Sequence, residues 1–198
     1  MRRYEAFQEV MDAVTDEPVV CNLGHPSQEL FVVRDRPQNF YMLGSMGLAS
    51  SIAHGLALCH EGKVVALDGD ASVTMNLGGF ATIGHTRPKN LVQIIIDNGA
   101  NGSTGFQPSF TAESLKLDQI ARAAGIEKVS VVTTQKDIAP TVAAALASDQ
   151  GPAVIIIRTE VGMPDNIGVI PLNAAEIRDR FVHSLGNQGG NPKSKNIG

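Results

Sequence analysis

The stretch that decides the fold is DGDASVTMNLGGFATIGHTRPKNLVQIIIDNGANGSTGF, residues 68–106. The apolar run Val64–Leu67 leads into it and ends in Asp68-Gly69-Asp70. A helix-like segment follows, and a second apolar run, Leu91–Ile96, ends in Asp97-Asn98-Gly99. Apolar runs flanking a helical pattern predict a βαβ unit. Acidic and amide groups then stand just past the C-terminal ends of two neighbouring strands, where open α/β sheets bind ligands. Asp70 and Asn98 offer one carboxylate and one amide carbonyl. That pair suits Mg²⁺ taking its remaining ligands from phosphate and water. Asp68 is a rival for Asp70, but it follows Leu67 directly and should still be at the strand end. Asp-Gly and Asn-Gly are also common turn dipeptides. Each alone reads as a turn; the two together at βαβ spacing read as a site.

The rest of the chain repeats the pattern. Strands are expected near Val19–Asn22, Lys128–Val132 and Ala153–Ile157. Helices are expected near Tyr4–Val14, Leu48–Cys59, Leu77–Gly84, Leu117–Ala124, Ile138–Ala147 and Ala174–Ser184. Alternating strands and helices predict an α/β fold with a doubly wound parallel sheet. Aliphatic runs such as VVAL and LVQIII suit strands buried on both faces. The 198 residues suffice for one domain, expected over residues 1–185. Residues 186–198 are rich in Gly, Asn and Lys and read as a disordered tail.

Composition narrows the function. A net charge of −4 with no basic run gives no nucleic-acid footprint. No apolar stretch approaches membrane-spanning length. Arg2-Arg3 is followed by Tyr4-Glu5 rather than an apolar run, so no secretory signal is expected. Cys21 and Cys59 have no paired spacing and read as buried thiols of a reducing cytoplasm.

A second block, Leu43-Gly44-Ser45-Met46-Gly47-Leu48-Ala49-Ser50-Ser51, combines turn glycines with small residues able to start a closely packed helix. A helix N-terminus is a diphosphate site. The plainer reading makes Met46 a core gap-filler.

Together these blocks resemble the thiamine diphosphate-dependent decarboxylases. Gly69-Asp70-Ala71-Ser72 followed by Asp97-Asn98 is similar to their metal and diphosphate motif, usually Gly-Asp-Gly and, about two dozen residues on, Asn-Asn. Ala71 and Asp97 depart from it; Asp70 and Asn98 do not. The resemblance implies Mg²⁺ on Asp70, Asn98 and the backbone carbonyl of Ala100. It implies thiamine diphosphate against Gly69, Ala71, Ser72, Gly44 and Ser45. Met46 would wedge between the two cofactor rings. A third block, Cys21-Asn22-Leu23-Gly24-His25-Pro26-Ser27, follows a short strand, and Gly24, His25 and Ser27 would touch the diphosphate. His25 alone reads as a polar loop residue.

Full-length members carry a second domain whose glutamate works on the aminopyrimidine ring. This chain covers only the diphosphate domain. The resemblance therefore implies a separate pyrimidine-domain (alpha) subunit, a hetero-oligomer, and no catalytic acid or base of this chain's own. The isolated chain is expected to self-associate through the surface that meets its partner. GSMGLASSIAHGLAL, GDASVTMNLG and DNGANGSTGFQPS are most similar to the branch acting on 3-sulfopyruvate, giving sulfoacetaldehyde and carbon dioxide. The phosphonopyruvate branch is the near relative, carrying His where this chain has Asn76. Phe106 stands at the second glycine of a more usual Gly-Gly-Gln. The substrate is thus expected to be an anionic 2-keto acid. A non-catalytic nucleotide-binding α/β subunit whose turns imitate the motif is the contrasting reading.

Overall fold

The computed structural model describes residues 1–162 and 167–186. Helix α1 (Arg3–Ala13) leads into β1 (Val19–Cys21), α2 (His25–Arg34), β2 (Asn39–Tyr41), α3 (Ala49–Ala57) and β3 (Val64–Gly69). Then come α4 (Asp70–Thr74), α5 (Gly78–Thr86), β4 (Leu91–Asp97), β5 (Ala100–Asn101), β6 (Gln107–Pro108), α6 (Phe110–Glu113) and α7 (Leu117–Ala123). The described chain continues through β7 (Lys128–Val132), α8 (Ile138–Ala147), β8 (Ala153–Arg158) and α9 (Ala174–Gly186).

Six parallel strands form one sheet in the order β2-β1-β3-β4-β8-β7. The doubly wound sheet expected from the sequence is present. Successive strand residues point to opposite faces, and both faces are buried. Val65, Leu67, Val92, Ile94, Ile96, Ile155 and Ile157 pack with α1, α2 and α8. Val64, Ala66, Leu91, Ile95, Val154 and Ile156 pack with α3, α5 and α7. The second layer is tight: a Cβ on Gly84 of α5 would lie 1.9 Å from the Ala124 carbonyl oxygen.

Helix α9 closes the β2 edge. It gives Ile177 to one core layer and Phe181 to the other. The Phe181 ring lies 5.4 Å from that of Phe40 in β2, and Arg180 bonds both carboxylate oxygens of Asp35 at 2.9 Å.

The chain leaves β1 toward β2 on one side, and β3 returns on the other. The order therefore reverses between β1 and β3, which opens a crevice at their C-terminal ends.

Several elements depart from expectation. β2 was not expected, nor were helices α2, α4 and α6. The pair β5–β6 is only two residues per strand, in register Ala100↔Pro108 and Asn101↔Gln107. Cys21 is buried as expected, but Cys59 is exposed. It sits past the end of α3, where its Sγ contacts the carbonyls of Gly55 and Leu56. Gly186 belongs to α9; the rest of the expected tail, 187–198, lies outside the described residues. No helix among the described residues is long and apolar enough to cross a membrane.

Candidate active site

The crevice between β1 and β3 is a real cleft, with about 190 Å³ of free volume. Pockets that enclose a whole drug-sized ligand run to roughly 300–1,000 Å³. This cleft therefore encloses only one end of a cofactor-sized molecule.

Four strand ends and loops build its wall. Asn22 to Pro26 follow β1, Gly69 to Ser72 span the β3–α4 junction, Ile96 and Asn98 come from the end of β4, and Ala100 to Thr104 follow. Met46 and Arg3 complete the lining. Gly24, His25, Met46, Gly69, Asp70, Ala71, Ser72, Asn98 and Ala100, all expected at the site, are thus brought together. Gly44, Ser45 and Ser27 are not among the lining residues. Ser27 is buried, and its hydroxyl donates to the Asn22 carbonyl at 2.7 Å. It ties down the loop rather than facing the cleft.

The Gly44–Leu48 loop is pinned on α4. The Gly47 N–H donates to Ser72 Oγ at 3.0 Å, and Asn76 Nδ2 donates to the Gly47 carbonyl at 3.2 Å. Gly47 has φ 91°, and a Cβ there would press on Met75 and Asn76. Met46 is held out at 41% exposure, so it is not a core gap-filler in this chain.

Asp68 and Asp70 have different surroundings. Asp68 is inside β3, paired with Ile95, and absent from the cleft lining. Burial pushes its carboxyl up to about 6, and the Asp70 charge pushes the same way. Asp70 opens α4 at the cleft wall. Ser109 Oγ and Thr111 Oγ1 both bond its Oδ2, the latter at 2.9 Å, and neither bonds Oδ1. Burial raises its carboxyl, opposed by the Ser109 hydrogen bond and reinforced by the charge of Asp97.

Thr111 also bonds Asp97 Oδ1 at 2.8 Å, and Arg158 forms an ion pair with Asp97 Oδ2. Asp97 is therefore engaged on both oxygens. Asn98 Oδ1 accepts the Ala100 N–H at 3.2 Å, while its Nδ2 and the Oδ1 of Asn22 are buried without partners. Buried polar atoms are rarely left unpaired. Of the five such atoms among the described residues, these two belong to the cleft wall, where a bound group would pair them.

Among the described residues no three His, Cys, Asp or Glu side chains cluster as a metal cage. A cation here would depend on Asp70, the Asn98 amide, a backbone carbonyl and the ligand's own oxygens. That donor set suits Mg²⁺, which keeps waters and binds through few carboxylates plus phosphate.

His25 opens α2, and burial lowers its pKa, with the Arg3 charge adding and Glu29 opposing. Its ring stands beside Gly102, where a Cβ would be 3.2 Å from Nδ1. Arg3, Asn22, Ser109 and Thr111 escaped the sequence reading, because each reaches the site only through tertiary packing.

Comparison with known proteins gives one coherent result. Residues 27–157 match the family model for the thiamine pyrophosphate enzyme, C-terminal TPP binding domain. The chain is 46% identical over 185 residues to the sulfopyruvate decarboxylase subunit beta of Methanococcus maripaludis, covering 93% of this chain and 98% of that one. It is 39% identical to the phosphonopyruvate decarboxylase of Streptomyces viridochromogenes, covering 84% of this chain but 41% of that one. A thiamine diphosphate-dependent 4-hydroxybenzoylformate decarboxylase from Rhodococcus jostii superposes with a TM-score of 0.65 at 20% identity, over 84% of this chain and 33% of that one.

Proposed function

The chain belongs to the thiamine pyrophosphate enzymes, as a decarboxylase subunit carrying their TPP-binding domain, and from that premise we propose that it holds the diphosphate and Mg²⁺ in a two-subunit enzyme converting 3-sulfopyruvate to sulfoacetaldehyde and carbon dioxide. The carrying observation is the convergence of Asp70, Asn98 and the Asn22–His25 loop on one cleft at the reversal point of the sheet.

Asp70, Asn98 and the Ala100 carbonyl would hold Mg²⁺. Gly24, His25, Gly69, Ala71 and Ser72 would line the diphosphate. Gly44 and Ser45 act through the backbone path that presents Met46, and Ser27 acts through the loop it fastens. When bound, thiamine diphosphate supplies an electron sink for the pair left behind by departing carbon dioxide. This chain's own part is binding, orientation and exclusion of water.

The partner is a pyrimidine-domain subunit that supplies the glutamate. Supporting this, the cleft encloses only one end of such a cofactor, and its surroundings are apolar and open. Leu43, Leu48, Ile52 and Met75 are exposed, and Met75 adjoins the Gly47 loop. Contiguous exposed apolar surface marks interaction sites. The same surface would drive self-association of the isolated chain. Both cysteines are free, which fits a reducing cytoplasm.

The relatives named for sulfopyruvate match at 42–46% identity, and those named for phosphonopyruvate at 37–39%. This favours the sulfonate.

The test is carbon dioxide release from sulfopyruvate by the purified chain with thiamine diphosphate and Mg²⁺, with and without the partner. Activity is expected only with the partner. Full release from this chain alone would overturn the split site, and equal turnover of phosphonopyruvate would overturn the substrate.

A further inference from the structure

One lining residue of the cleft, Arg3, belongs to a buried ion pair with Glu29. Arg3, at the start of α1, is 7% exposed, and Glu29 in α2 is fully buried. Arg3 Nε donates to Glu29 Oε2 at 2.8 Å and Nη2 donates to Oε1 at 2.5 Å. Among the described residues Nη1 has no partner, and Arg3 lines the cleft. Two parallel bonds fix the plane of a guanidinium. The remaining N–H edge is therefore presented in a set direction.

Beside it, the ten-residue helix α2 begins at His25, and its N-cap, Gly24, gives no side-chain cap. Pro26 has no N–H, so the first-turn donors of α2 are the N–H groups of His25 and Ser27; such groups have no intrahelical partner and carry the positive end of the helix dipole. Gly24 has φ 76°, and nothing lies within 4 Å of where its Cβ would be. An uncapped helix start and a half-used buried guanidinium thus share one wall. A buried ion pair is a weak stabilising device in itself, which leaves its place at a ligand cleft to be explained.

We propose that Arg3 is a diphosphate-positioning residue, oriented by Glu29, whose free N–H edge works with the α2 N-terminus to hold the cofactor's terminal phosphate. This rests on the thiamine diphosphate reading above and adds a residue outside its motifs. Asp70 and Asn98 would hold Mg²⁺ for the diphosphate, and the guanidinium edge of Arg3, its charge balanced by Glu29, would add hydrogen bonds to it. Because the Arg3–Glu29 pair carries no net charge, it supplies directed hydrogen bonds rather than general attraction. It therefore distinguishes a ligand with a second phosphate from one with a single phosphate.

The experiment uses the assembled two-subunit enzyme at saturating Mg²⁺. Dissociation constants are measured calorimetrically for thiamine diphosphate, and by competition for thiamine monophosphate and inorganic pyrophosphate. Arg3→Lys keeps a cation beside Glu29 but loses the second edge. It should weaken thiamine diphosphate and pyrophosphate about three- to tenfold and leave the monophosphate within about twofold. Arg3→Met/Glu29→Met removes both charges together and should deepen the same selective loss to roughly 10- to 100-fold. Melting temperatures report folding, and if the double variant misfolds, Arg3→Lys decides. Equal weakening of all three ligands means that Arg3 is only structural, and unchanged binding means that it is idle; either overturns the proposal. A raised KM for sulfopyruvate with unchanged cofactor binding would assign the edge to the substrate's sulfonate and also overturn it. Wild-type enzyme that binds no thiamine diphosphate overturns the cofactor reading itself, a different result from wild-type binding with an indifferent Arg3→Lys.

Discussion

Asp97 and Arg158 face one another at the last register position of β4 and β8, and their side chains form an ion pair. Asp97 occupies the place where the related motif usually has asparagine. An extra carboxylate beside a buried Asp70 raises the cost of the Asp70 charge. Arg158 offsets that cost from the neighbouring strand.

Removing Arg158 should therefore expose the cost. Arg158→Met is expected to destabilise the metal-free chain by about 1–3 kcal/mol, below the ~3–5 typical of fully buried pairs, because Arg158 is partly exposed. Asp97→Asn/Arg158→Met should recover most of the loss in denaturant titrations. Equal destabilisation in the single and double variants would show that Arg158 acts by packing alone.

Asp70→Ala should abolish Mg²⁺-dependent cofactor binding and activity. Asp68→Ala should leave both measurable, since Asp68 is outside the cleft lining. Thr111→Val removes a hydroxyl that lies within hydrogen-bond distance of both Asp70 and Asp97 and has one proton to donate between them. It should weaken apparent Mg²⁺ affinity about 10- to 100-fold, as is usual for partners that orient a metal ligand. Mg²⁺ titrations of cofactor binding measure all three. An inactive Asp68→Ala beside a metal-responsive Asp70→Ala would exchange the two roles.

Stability should carry the signature of Asp68. Its folded-state pKa is raised to about 6 from an ordinary 3.8. The folded chain thus keeps a proton that the unfolded chain releases. That contribution is full below about pH 4 and is lost as the pH rises through about 6. Asp68→Asn cannot ionise. In EDTA it should gain on the order of 2–3 kcal/mol over wild type at pH 8 and almost nothing near pH 4. Parallel pH profiles for the two proteins would sink this assignment.

Met46→Ala should lower turnover far more than cofactor affinity. The side chain is largely free of the core, so folding should hardly change. Misplacement of reacting groups by about 1 Å can cost about a hundredfold in rate. Turnover and the cofactor dissociation constant, measured on one preparation, separate the effects. Near-normal turnover would return Met46 to the status of a surface residue.

The sheet was legible where its strands are buried on both faces. Val64–Leu67 and Leu91–Ile96 have little polar interruption, and their ends carry turn residues that also form the site. β2 was not legible because Asn39-Phe40-Tyr41 is three residues long and begins with a polar side chain. α2 was hidden by its His-Pro-Ser start, which reads as loop chemistry. Arg3 was illegible for a different reason: helix periodicity reports which residues are apolar, not which charge meets a carboxylate 26 residues away. Cys59 shows the same limit. It lies just beyond an apolar helix, and only the end of α3 decides that it is exposed.

Helix α9 also sets a timetable for synthesis. It covers the edge formed by β2, the strand beside β1, whose loop supplies Asn22 to Pro26. Phe40 and Phe181 must meet before that edge is finished. At roughly 5–20 residues per second, a ribosome needs about 7 to 28 s to travel between them. During that interval the early strands are made but one edge stays unpaired and uncovered, a state prone to pairing with other chains. Such distant contacts also slow folding after release. Expression yield should therefore respond more to slower translation or chaperone supply than the isolated stability of the finished chain would suggest.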